Sequence, residues 1–151
     1  MAYNPKDGIK HIVHDYVYLV VSGTDTQRPL KNPFNHYAER TFLTHCRAVA
    51  KFLSAENDAR DMYARDFTKT PFERKLPIWD KWSMHIDQHL MHLSKSRVEN
   101  TVPWTGEPNK CMLEEFKAVW AAFLGELKSE MKPLFTEAMK EHQKAFKDYL
   151  L

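Results

Sequence analysis

Between Ile78 and Arg97 the chain runs IWDKWSMHIDQHLMHLSKSR, with no glycine or proline to interrupt it. Wound at about 100° per residue, Trp79, Trp82, Ile86, Leu90 and Leu93 fall on one face. Asp80, Asp87, Met91 and Lys95 take the opposite face. Steps of three and four residues make one apolar stripe on a helix, whereas a strand would alternate. Such a stripe has to be buried against another element. The chain holds only 4 glycines in 151 residues, which leaves little turn chemistry for β architecture. The fold this predicts is all-α.

The same period recurs along the chain. Ile9, Ile12, Val13, Tyr16, Leu19 and Val20 predict a first helix, with Asp7 as its N-cap and Gly23 as its C-cap. Turn residues mark Gly23 to Pro33 as a loop. Asn32 then caps a second helix that starts at Pro33 and ends near Leu53. Its expected buried face is Phe34, Ala38, Phe42, His45, Val49, Phe52 and Leu53. Residues 54–76 read as a long irregular connection, polar and mixed, with short helical turns around Ala59 to Arg65. After the Ile78–Arg97 helix, Pro103, Gly106 and Pro108 mark a loop in which Trp104 tucks against the core. Met112 to Leu127 form a further helix, and Pro133 ends or kinks it. A last helix spans Leu134 to Leu150, with a stripe wide enough to dock on the bundle or to meet a second copy in a homodimer. The expected architecture is one domain, 1–151, built as a bundle of four or five helices.

Composition narrows the function classes. A net charge of +2 gives no broad basic field, so no strong nucleic-acid signal. The longest apolar run, Tyr16 to Val21, is far too short to cross a bilayer, so no membrane span is expected. The opening MAYNPKDGIK lacks the apolar core of a signal peptide. The 2 cysteines, Cys46 and Cys111, make no disulfide framework and suit a reducing, cytoplasmic setting.

The chemistry-bearing residues are histidines. His85, His89 and His92 stand at i, i+4 and i+7 along one flank of the apolar stripe, close enough for side chains to converge. His45 sits in the middle of the second helix's stripe. If those two helices pack together, as consecutive elements usually do, imidazoles from both meet. Two readings follow. The rings hydrogen-bond neighbouring helices at the edge of the core. Alternatively, His45, His89 and His92 hold a divalent transition metal such as zinc or nickel. The candidate ligand-binding set is His45, His85, His89, His92 and Arg97.

Three resemblances bear on this. The His85-x-x-x-His89 pair, with a histidine on an earlier helix, is similar in spacing to the DinB-type bundles, which use three histidines to hold a metal. That similarity implies a metal-dependent hydrolase or transferase. Arg40-Thr-Phe-Leu-Thr-His45 resembles the Arg-x4–6-His motif of HEPN-type ribonucleases and would make Arg40 and His45 catalytic. Here the motif lies mid-chain, and positions five apart on one helix diverge by about 140°. Thr44 to Leu53 and Ile86 to Arg97 together look like an uncharacterised group of small bacterial all-helical proteins. That resemblance brings a fold and no activity. Cys46 beside His45 is a poor nucleophile pair, because adjacent helical residues point about 100° apart. No glycine-rich phosphate loop and no Ser-His-Asp set is visible. The expected role is a binding or interaction protein, with the metal-dependent enzyme and the ribonuclease as alternatives.

Overall fold

Asn4 opens the first helix: its side-chain oxygen accepts from the Lys6 amide at 3.1 Å, and Pro5 fills the first turn. In the computed structural model, which describes residues 4–31, 33–88 and 107–150, this helix, α1, spans Pro5–Asp25. It starts earlier than the Asp7 cap predicted, because Asn4 already satisfies the free amide and proline tolerates the first turn. It also runs through Gly23 instead of stopping there. The Ser22 and Thr24 hydroxyls bond back to the Tyr18 and Val20 carbonyls, and Thr26 closes the end on Gly23.

Helix α2 spans Phe34–Phe52 and buries Phe42, Leu43, Cys46, Val49, Ala50 and Phe52. Pro33 flanks it without a side-chain cap. The expected cap, Asn32, lies outside the described residues. Phe34 departs from the predicted buried face: it is 63% exposed, in a first turn that overhangs an open groove.

The stretch from 54 to 76 is irregular, as its composition predicts, but it is not a solvated strap. It contains one 3-10 turn, Ala64–Asp66, and buries Tyr63, Phe67, Thr68, Phe72 and Leu76. Asp66 caps the turn by accepting from the Tyr63 amide at 2.9 Å, and the Asp58 amide donates to the Tyr63 hydroxyl at 3.0 Å. A lone antiparallel bridge pairs Thr68 with Leu127, with Lys69 N and Lys128 N donating to Glu126 O and Phe67 O at 3.0 Å each. Buried backbone in a loop needs such partners.

Helix α3 spans Pro77–Ile86 and passes into a π turn at residues 87–88. It buries Trp79 and Ile86, as the stripe predicted. The remainder of the expected helix, to Arg97, and the Trp104 loop lie outside the described residues. Helix α4 spans Glu107–Glu126, beginning ahead of Met112. Helix α5, Lys132–Ala145, carries Pro133 in its first turn, and α6, Lys147–Leu150, follows a break at Phe146. The single last helix expected from sequence is therefore two.

Helix α1 lies at the centre, touching α2, α4, α5 and α6. Its Tyr16 stacks on Trp120 of α4 at 4.2 Å and 7°. Phe52, Phe123 and Phe135 crowd the other sides of that indole. Aromatic faces and edges at these spacings add to the area they bury. The architecture is an all-α bundle, with six helices among the described residues. None of those helices is long and apolar enough to cross a membrane.

Candidate functional site

The stripe of α1 that faces away from Tyr16 is polar, and α2 and α5 flank it. His11, His14, Asp15 and Tyr18 follow one another there at helical spacing. His45 arrives from α2 and His142 from α5. The His45 Nδ1 lies 2.8 Å from Asp15 Oδ1, and the His45 side chain is only 18% exposed. That contact makes Nδ1 the donor to the carboxylate and leaves Nε2 as the nitrogen not engaged by Asp15. The His14 ring lies 6.1 Å from His45 and 5.7 Å from His142, centre to centre. Tyr18 forms the floor, 4.3 Å from His14 and 5.5 Å from His45, and its other side meets Phe146 at 5.5 Å. Three helices thus deliver three imidazoles to one groove.

The electrostatics follow from this crowding. Burial pushes the His14 pKa down; Asp15 opposes this, while His142, His45 and His11 add to it. A proton on any of those three rings makes one on His14 harder to add. Beside the groove, the Cys46 thiol is buried and its pKa is raised well above the ordinary value by that burial and by Glu115. It is a packing residue, and His45 has no nucleophile to activate there.

The predicted residues fall in three places. His45 is in the groove, but the side chains its ring meets, Asp15, His14 and Tyr18, all belong to α1. Arg47, on the opposite flank of α2, is the residue that reaches α3, pairing with Asp87 at 3.3 Å. His85 lies on α3 beside Trp82, with ring centres 6.4 Å apart. Arg40 is exposed on α2, a different face from the half-buried His45. His89, His92 and Arg97 lie outside the described residues. Among the described residues, no three His, Cys, Asp or Glu side chains converge as a metal site needs.

Sequence reading missed His14, Asp15, Tyr18 and His142. The signal was present: an i, i+3, i+4, i+7 polar stripe from His11 to Tyr18 on a helix whose other faces are apolar. It reads as solvated spacing until α2 and α5 are seen to flank it.

A separate cleft of about 230 Å³ lies between α1, α2 and the 54–76 connection, and none of His14, His45 and His142 lines it. Asp15 lines this cleft and also holds His45 Nδ1.

No family model matches the chain, and no curated protein or solved structure matches it either.

Proposed function

We propose that this chain is a binding protein whose site is the imidazole groove on α1, and that its ligand presents a small oxyanion there. The observation that carries the reading is that His14 of α1 has a second imidazole on each neighbouring helix, His45 of α2 at 6.1 Å and His142 of α5 at 5.7 Å, ring centre to ring centre. Neutral His14 and His142 each offer one N–H, and His45, whose Nδ1–H is held by Asp15, offers another when it is protonated. An oxyanion beside His14 favours the protonated ring that burial and the neighbouring imidazoles oppose. Asp15 fixes the His45 ring through Nδ1, the role that an orienting carboxylate plays for a working histidine. Binding is favoured over catalysis because the thiol nearest in sequence, Cys46, points into the core with its pKa raised.

Proton NMR of the imidazole ring signals tests this at about pH 6, where histidines titrate. Sodium acetate should shift the His14, His45 and His142 signals saturably, with sodium chloride at matched ionic strength as the reference. His36 and His85, which lie elsewhere, should hold still. Shifts that follow ionic strength alone, or that appear on all rings equally, would overturn the reading.

A further inference from the structure

We infer that the groove between α4 and α5 is a docking site for an acidic amphipathic helix of a partner protein. The site is separate from the imidazole groove and does not depend on the oxyanion reading. Helices α4 and α5 both pack on α1, yet little contact joins them to each other. An open groove of about 550 Å³ is left between them. Leu124 and Met139 line it half-buried, and Leu127 and Phe135 line it fully buried. Lys132 and Lys140 of α5 line the same groove, and no carboxylate does among the described residues.

Charge complementarity sets the sign of the occupant. Neither Lys132 nor Lys140 has an ion-pair partner among the described residues. Helix α5 also begins with no acidic residue in its first turn and no side-chain cap, so its dipole adds positive potential at the Lys132 end. The cleft between α1 and α2 differs, since Asp15 and Asp61 line it, and Asp25 lines the groove beneath Phe34. Spacing sets the shape. Lys132 and Lys140 stand about two turns apart, about 12 Å along the α5 axis. Carboxylates two turns apart on a second helix match them, and apolar residues between, at i+3 and i+4, meet Leu124 and Met139. A small monoanion meets one ammonium and leaves the other unpaired. A flat anionic membrane does not enter a groove recessed between two helices.

Fluorescence anisotropy of the whole chain with labelled helical peptides of about 16 residues, roughly four turns, tests this. The peptides share one leucine stripe and carry glutamates at i and i+7, glutamates at i and i+4, or lysines at i and i+7. The first should bind most tightly, and the lysine peptide about tenfold or more weaker. Lys132 and Lys140 are exposed, so the double variant Lys132→Glu, Lys140→Glu keeps the fold, and it should reverse that order. In methionine methyl NMR spectra the first peptide should shift Met139 and leave Met84, exposed on α3, in place. No binding of the first peptide, equal binding of the lysine peptide, or an unreversed order in the double variant would overturn the proposal. Self-association of the chain alone, abolished by Leu124→Lys, would overturn it in favour of a second copy. Phosphatidylserine vesicles that bind the parent chain and not the double variant, with no peptide binding, would overturn it in favour of a membrane surface.

Discussion

At Gly23 a missing side chain sets how closely three helices approach. A Cβ built there would lie 2.8 Å from Phe42 Cδ2 and Cε2 and 3.0 Å from Leu113 Cδ1. Phe42 is fully buried, so its ring has no room to retreat. In isolation, glycine to alanine inside a helix gains up to about 1 kcal/mol. Here overpacking outweighs that gain, and Gly23→Ala should lose a net ~1–2 kcal/mol in urea unfolding. Gly125 supplies the control, since a Cβ there meets nothing within 4 Å. Gly125→Ala should be neutral or stabilising. Equal effects at the two positions would contradict the close crossing. The sequence marks both glycines, but only contact with α2 and α4 distinguishes a packing glycine from the helix stop that Gly23 resembles.

Among the elements, α3 is held by a residue far away in sequence. Its N-cap position, Leu76, offers no side-chain oxygen. Glu115 of α4 supplies both, accepting from the Ile78 and Trp79 amides at 2.9 Å each. A carboxylate at a helix N-terminus satisfies free amides and complements the helix dipole. Glu115→Ala should cost ~1–2 kcal/mol and speed hydrogen exchange at the Ile78 and Trp79 amides, as charged hydrogen bonds of this kind are worth about that much. Unchanged exchange at those two amides would show that α3 does not depend on the cap. The Ile78–Arg97 period predicted a helix and its inner face, Trp79 and Ile86 included. It could not show what begins the helix, because the capping group lies 36–37 residues away. The 54–76 connection shows the same limit. Its charged residues hid the alternate burial of Tyr63, Phe67 and Phe72, which depends on a bridge to Leu127 that no local pattern announces.

For the molecule as a whole, the imidazole groove links acidity to stability. Lys10, His11, His14, Asp15 and Tyr18 line or border it on α1, His45 faces it from α2, and Glu141 and His142 stand on α5. Burial and the neighbouring rings depress the His14 pKa, so the fold favours the neutral ring. Above the ordinary value of 6.5 the ring is neutral folded or unfolded, and nothing is lost. As pH falls through that value, the unfolded chain takes a proton that the native state resists, and stability drops until the lowered native pKa is passed. The melting temperature should therefore fall between about pH 7.5 and about pH 5.5, the window in which histidines titrate. His14→Asn should flatten part of that fall. An identical slope in the variant would place the acid sensitivity elsewhere. Acetate at the lower pH should restore part of the loss in the parent chain, because an anion stabilises the protonated cluster.

Helix-forming period and scarce glycine were enough to determine an all-α bundle and most of the faces that enter its core. Those properties are local: a stripe at three-and-four spacing must be buried whatever covers it. Which imidazoles share a groove was decided only by tertiary structure. His45 could have turned its ring toward α3 or α1, and the packing of α2 against α1 gave it Asp15, His14 and Tyr18, while α5 brings His142 to His14. Periodicity fixes the direction of a side chain around its own axis. It carries no information about which other helix lies in that direction.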